Sequence, residues 1–185
     1  MVKEEKWTPI ESMKTRQIYD NLIKKRLRAK NYTPKRAHEN VRKIQRNLKA
    51  KERDYWWRLT HKLIITKKRE SKYNPVTNKC PVCKTEVEDF EHYEYECNTI
   101  QQFVVMVARE AKKTEISKEE WKLEEKGMTT ELMTLIAKAR WIYHCERCQI
   151  DLGRRRTVNL ETLMNRLIFQ MTLLKESKQG GGEST

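Results

Sequence analysis

Four soft ligands recur at metal-binding intervals in the middle of the chain. Cys80 and Cys83 flank two residues, His92 follows after eight more and Cys97 after another four, giving C-x2-C-x8-H-x4-C. Two cysteines around two residues can bend into a turn whose backbone N–H groups face the thiolates. Three thiolates and one imidazole nitrogen then satisfy Zn²⁺ tetrahedrally. No position is left for water, so such a site orders the chain and does no catalysis. Two other readings stay open. The thiols can be ordinary buried side chains with His92 at the surface, or Cys145 and Cys148, a second C-x2-C, can join Cys80 and Cys83. Against the latter, Tyr143-His144-Cys145-Glu146-Arg147-Cys148 lies in a helical pattern, where thiols at i and i+3 face a core or a neighbour. The expected ligands are therefore Cys80, Cys83, His92 and Cys97, with Zn²⁺ as the cofactor.

Glu86, Glu88, Asp89, Glu91, Glu94 and Glu96 crowd the same segment. Carboxylates this dense can gather Mg²⁺, yet no Lys or His stands at a nuclease spacing beside them. They read as a solvated acidic rim, no catalytic residue is assigned, and the chain reads as non-enzymatic. Pro75, Pro81 and the six acids leave little besides a metal to order this stretch, and Val87, Phe90, Tyr93 and Tyr95 supply only a small satellite core. Loss of the metal is expected to unfold the segment locally.

The surrounding chain must hold the site, and its periodicity is helical. Ile18, Leu22, Ile23 and Leu27, with Tyr19 beside them, predict a helix over about 12–30. Thr33-Pro34 is a helix restart, with a hydroxyl at the cap and proline at the first helical position. The helix that follows aligns Ala37, Val41, Ile44, Leu48, Tyr55 and Leu59 on one stripe, and Lys35, Arg42, Arg46, Lys49 and Arg53 on another. Trp56 and Trp57 cannot both point inward, because helical neighbours are about 100° apart. Thr66 can cap a short helix in KKRESKY, and Ile100, Phe103, Val104, Val107 and Ala111 have helical spacing. Ser117 and Glu120 form a capping box. Thr130 opens a longer helix through Leu132, Leu135, Ile136, Ala139, Ile142 and Tyr143 that stops near Gly153, and Asn159 opens a last one through Leu160, Leu163, Leu167, Met171 and Leu174. Strand alternation is confined to a short hairpin at the cysteines. The expected fold is all-α, a helical bundle with a small CCHC zinc-ordered insertion. Its divisions are a basic helical region (1–72), the zinc segment (73–100), a second helical region packing on the first (101–177) and a disordered tail (178–185).

Composition removes several classes. Of 185 residues, 37% are hydrophobic and 36% charged, and no run approaches the ~20 apolar residues of a membrane helix. The opening MVKEEKWTPIESMK has no apolar core of the ~7–15 residues a secretory signal needs. An intracellular location, nuclear or cytoplasmic, and reduced cysteines are expected. Of five glycines only Gly127 and Gly153 precede the tail, which excludes a glycine-rich phosphate loop. The net charge of +14 is unevenly placed: residues 1–72 hold 23 basic and 8 acidic groups, against 2 and 6 over 73–100 and 15 and 12 over 101–185.

Trp57-Arg58-Leu59-Thr60-His61-Lys62-Leu63-Ile64-Ile65-Thr66, then Cys80-Pro81-Val82-Cys83, then Val87-Glu88-Asp89-Phe90-Glu91-His92-Tyr93-Glu94-Tyr95-Glu96-Cys97 resemble the zinc-binding segment near the C-terminus of non-LTR retrotransposon reverse transcriptases. That pattern runs as tryptophan, leucine, histidine, a proline-threonine helix start, CPxC and E-H-x-x-x-x-C; this chain departs from it with Ile65 before the threonine. The likeness is strong over residues 56–103. It is looser at Lys14 to Tyr19 and at Ala139 to Cys148, which resemble flanking helices of such elements. The resemblance implies the same four zinc ligands and a role in holding template RNA or target DNA, as a detached or domesticated copy. No Tyr-x-Asp-Asp polymerase motif is present, so polymerisation is not expected.

Charge supports the same partner. Clustered cations bind polyanions by releasing counterions. The candidates are Lys24, Lys25, Arg26, Arg28 and Lys30, the stripe Lys35, Arg42, Arg46, Lys49 and Arg53, then Lys67, Lys68 and Arg69, and Arg154, Arg155 and Arg156. Tyr32, Tyr73, Tyr93 and Tyr95 stand near them as rings on which unpaired bases could stack. The expected function is a zinc-stabilised module that binds RNA or DNA. The alternative is a zinc-pinned helical adaptor within a larger protein or ribonucleoprotein complex, and a small nuclease using the acidic cluster ranks third. No membrane partner is expected.

Overall fold

The computed structural model describes residues 36–179. The expected helix over 12–30, the Thr33-Pro34 restart, Lys24, Lys25, Arg26, Arg28, Lys30 and Lys35 lie outside the described residues, as do residues 180–185.

The helix expected to run unbroken to Leu59 is divided. Helix α1 spans Arg36–Ile44 and tightens into a 3₁₀ turn, Gln45–Asn47. Leu48 and Lys49 are then extended, and α2 spans Ala50–Thr60. Side chains compensate the backbone groups freed at the break. The Glu52 carboxylate accepts the Lys49 N–H at 2.7 Å, Arg53 donates to the Leu48 carbonyl at 2.7 Å, and the Asn47 amide donates to Thr134 Oγ1 at 2.9 Å. Ala37, Ile44, Leu48, Tyr55 and Leu59 are all still buried. The apolar pattern survived the break; the cationic stripe did not remain one helix face. Trp56 points inward and donates its indole N–H to the Ala137 carbonyl, while Trp57 is half-buried against His61.

Helix α3, Lys67–Glu70, starts at Thr66, but the threonine hydroxyl does not cap it. The Glu88 carboxylate takes that place, accepting the Lys67 N–H at 2.8 Å. Helix α4 covers Asn98–Glu110 and α5 covers Lys118–Trp121, the latter opened by the expected reciprocal box between Ser117 and Glu120, both bonds 3.0 Å. Helix α6 spans Thr130–Asp151 and is capped by Thr129, one residue before the expected position. Gly153 reverses the chain behind it at φ +69°, a conformation that disfavours a side chain. Helix α7, Leu160–Gln179, opens with Asn159 Oδ1 accepting the Thr162 N–H. Among the described residues the only β pairing is the antiparallel bridge Lys79–Val87, so the fold is all-α.

Helix α6 is the centre of the packing, touching α1, α2, α4 and α7. Every residue from Met133 to Arg140 is buried, more than an amphipathic stripe provides. That run includes Lys138, whose ammonium lies 3.1 and 3.2 Å from the two oxygens of Glu52, both side chains almost wholly enclosed. Breaking such a pair strands a charge in a low-dielectric interior, which costs roughly 3–5 kcal/mol, whereas replacing both partners by apolar groups can be neutral. Lys138→Ala should therefore lower the unfolding free energy in urea by about that amount. The double variant Lys138→Met/Glu52→Leu should recover most of it.

Candidate metal centre

The ligand atoms of Cys80, Cys83, His92 and Cys97 all lie within 4.8 Å of one another, and Cys83 Sγ is 3.4 Å from His92 Nε2. Tetrahedral bonds of about 2.0–2.3 Å place ligand atoms a little under ~4 Å apart, so this cluster has the dimensions of a metal cage. Cys80, His92 and Cys97 are buried and Cys83 is half-buried. Among the described residues no other group of His, Cys, Asp and Glu converges in this way.

Local backbone builds the cage. Cys80 N–H bonds to the Glu86 carbonyl at 2.8 Å, and Lys84 N–H returns to the Cys80 carbonyl at 2.9 Å. Lys84 adopts φ +62°, closing the turn tightly behind Cys83. The amides of Val82 and Cys83 thereby face the Cys80 sulfur, and those of Thr85 and Glu86 face the Cys83 sulfur. The second half depends on a π turn over His92–Glu96, in which Cys97 N–H bonds to the His92 carbonyl at 3.2 Å. An α-turn would bring residue 96 back over residue 92. The wider π turn brings residue 97, as a His-x4-Cys spacing requires. Cys97 then serves as the N-cap residue of α4, where the amides of Thr99 and Ile100 meet its sulfur.

These donors favour thiolates. The hydrogen bond shared with Cys80 is the largest influence on Cys97. Together with the two helix amides and the His92 ring it outweighs burial and brings this thiol down to about 4. The same shared bond, with burial, drives Cys80 upward, so Cys97 is the first of the pair to ionise. Burial opposes ionisation of Cys83, but the Glu86 and Thr85 amides and the Thr85 hydroxyl prevail and lower it. Tyr143, kept protonated by burial, directs its hydroxyl to Cys97 Sγ at 3.9 Å. A soft divalent ion fits this donor set.

The segment is no satellite. Cys80, Tyr93 and Cys97 belong to the main core with Trp56, Ile100 and Phe103, while Val87 is exposed. The acidic residues are a solvated rim only in part: Glu86, Asp89, Glu91 and Glu96 keep much of their side chains in water, whereas Glu88 and Glu94 turn inward. Glu88, almost fully enclosed, pairs in bidentate fashion with Arg147 of α6, whose guanidinium lies over the Tyr93 ring. Glu94 accepts from Arg140 at 2.9 Å, and the Arg140 guanidinium also donates to the Trp121 carbonyl and stacks on Trp56. Asp89 accepts the His92 N–H at 3.1 Å and pairs with Lys68, and Glu91 and Glu96 pair with Lys118, Glu91 also with Lys122. Of these six acids only Glu86 is exposed without a cationic partner among the described residues.

Cys145 and Cys148 do not join the cage. Both are half-buried on α6 and burial raises both thiols, Cys145 to about 11. Beside them His144 lies 2.8 Å from the Tyr93 hydroxyl and stacks on Tyr55. Arg140, Arg147, Tyr143 and His144 escaped the sequence reading as supports of the site. The available signal was the presence of arginines inside an otherwise apolar helical run.

The sequence-derived cations differ in their fates. Arg42, Arg46, Lys49 and Arg53 are exposed, Arg53 with its guanidinium on the Leu48 carbonyl. Lys67 is held between Glu70 at 2.8 Å and Asp151 at 2.5 Å, so its charge is neutralised within the fold. Lys68 is exposed and shares Asp89, and Arg69 is exposed and bonds to the Lys62 carbonyl. Arg155, with Arg166, neutralises the buried Glu146, whereas Arg154 and Arg156 are exposed without carboxylate partners among the described residues.

No family model, curated protein or solved structure matches the chain. The site stands on its own geometry. Among the described residues no helix is long and apolar enough to cross a membrane.

Two outcomes follow from this arrangement. Losing the ion would release Glu88 and Glu94 and leave Arg147 and Arg140 buried without counter-charges, so disorder should spread beyond the segment. Chelation, or Cys80→Ser, should remove amide-exchange protection throughout α6 as well as over residues 80–97. Protection retained in α6 would restore the local picture. His144 is held down to about 4, first by burial and then by the Arg147 and Arg58 charges, so the native state disfavours its protonation. Its contribution is complete above the unfolded value near 6.5 and is lost as pH falls toward 4, at ~1.4 kcal/mol per unit. The stability difference between wild type and His144→Gln should therefore shrink over that window in urea melts at matched pH.

Proposed function

We propose that this chain is a zinc-stabilised, non-catalytic module that binds nucleic acid. The observation that carries the reading is the sorting of charge around the metal centre. Between residues 62 and 97, six of the seven acids, Glu70, Glu88, Asp89, Glu91, Glu94 and Glu96, each meet a cation of the fold, and only Glu86 has none among the described residues. Lys62, Arg69, Lys72, Lys79 and Lys84 are exposed and have no carboxylate partner among the described residues. With five unpaired cations against one unpaired acid, the stretch presents an excess of positive charge, and such a surface gains phosphate contacts by releasing counterions. Arg42, Arg46, Arg154 and Arg156 are exposed as well.

Three thiolates and an imidazole favour zinc over harder ions. The resemblance to the zinc segment of non-LTR reverse transcriptases supports RNA or target DNA as the ligand. Reduced thiols suit a nuclear or cytoplasmic setting. Purified protein should carry one Zn²⁺ per chain and shift RNA or DNA in a gel. With about five phosphate contacts, log affinity should fall against log salt with a slope near −4 to −5. Reversing Lys72, Lys79 and Lys84 to Glu should abolish the shift while zinc content and helicity stay unchanged; a flat salt response would overturn the proposal. The adaptor reading draws on one feature, the exposed Ile168, Phe169 and Leu173 along α7. It would gain if salt had no effect and Phe169→Ser alone released a bound protein.

A further inference from the structure

Four tyrosines stand near basic or metal-binding residues in the sequence, and the fold separates them. Tyr32 lies outside the described residues. Tyr93 is enclosed beneath Arg147, and Tyr95 is half-buried with the Lys118 ammonium over its ring. Tyr73 is 81% exposed, more than any other large hydrophobic side chain among the described residues, and has no ring or hydrogen-bond partner for its side chain there. Leaving a ring in water forgoes the favourable burial of an aromatic side chain.

The backbone beneath Tyr73 is well anchored. Its N–H and that of Asn74 both bond to the Glu70 carbonyl at 3.0 Å, and Val76 N–H returns to the Asn74 carbonyl at 2.8 Å. These bonds hold the ring on a turn at the end of α3. Glu88 then ties α3 to the metal segment: its carboxylate accepts Lys67 N–H, its carbonyl accepts Lys68 N–H, and its own N–H donates to Asn78. The loop from Ser71 to Lys79 is thus fastened at both ends by the residue that pairs with Arg147. Arg69 and Lys72 precede the ring and Lys79 closes the loop, all exposed and without carboxylate partners among the described residues.

We propose that Tyr73 is a stacking platform for an unpaired base, with Arg69, Lys72 and Lys79 holding the flanking phosphates, so that the ligand of this surface is single-stranded. The inference rests on the nucleic-acid reading above and specifies its ligand. An exposed ring offers nothing to a duplex, whose base faces are already stacked. A single strand gains both stacking and charge neutralisation.

The test is fluorescence anisotropy of the zinc-loaded full chain with labelled U12, dT12 and a blunt 12-base-pair duplex at one salt concentration. Tyr73→Ala should weaken binding of the single strands about ten-fold and leave the duplex unchanged, and Tyr73→Phe should retain wild-type affinity. Similar loss on U12 and dT12 marks stacking indifferent to the sugar, and loss on one alone identifies the strand used. If wild type binds all three probes and Tyr73→Ala alters none, or alters the duplex equally, this inference fails while the broader reading stands. If wild type binds none, both fail. Zinc content and the far-ultraviolet spectrum of each variant control for folding.

Discussion

A helix packed on every side cannot carry ionised groups unless each finds an opposite charge, and α6 carries four: Lys138, Arg140, Glu146 and Arg147 are all buried. Each takes its partner from a different part of the chain. Glu52 comes from α2, Glu94 from the π turn, Arg155 and Arg166 from the loop and helix that follow α6, and Glu88 from the end of the cysteine hairpin. Desolvating such groups is costly, and only complete pairing offsets the cost. The described residues meet all four of these charges with partners of opposite sign.

That requirement explains why the metal segment is integral to the helical body. Besides the four candidate ligands it supplies two of the counter-charges, and Cys80, Tyr93 and Cys97 enter the common core. The ligand cage and the ion pairs support each other. The turn that places His92 and Cys97 also places Glu94, and the hairpin that places Cys80 and Cys83 leads directly to Glu88. Tyr143 extends the link by reaching Cys97 from α6.

The same demand shapes the outer surface. Acids of the segment are drawn inward or onto neighbouring lysines, so the exposed groups left between α3 and the hairpin are mostly cationic. A segment with six acids and two bases over residues 73–100 would read as negative by composition alone. In the fold Glu88 and Glu94 face Arg147 and Arg140, and Asp89, Glu91 and Glu96 face lysines; net charge counts groups and not where they face.

Local rules made much of this legible. Ligand types and spacing determined the four-residue cage, since Cys-x2-Cys turns and His-x4-Cys spacing are short-range geometry. Apolar periodicity and capping chemistry determined the all-α class, the Ser117–Glu120 box and the Asn159 start, for the same reason. What the sequence could not determine were relations across 20 to 90 residues. The break between α1 and α2, the capping of α3 by Glu88 and the pairing of Lys138 with Glu52 each join groups, or neighbours of groups, that no local pattern brings together. Whether a carboxylate is solvated or buried depends on the charge opposite it in space, and only the packed tertiary structure decides which charge that is.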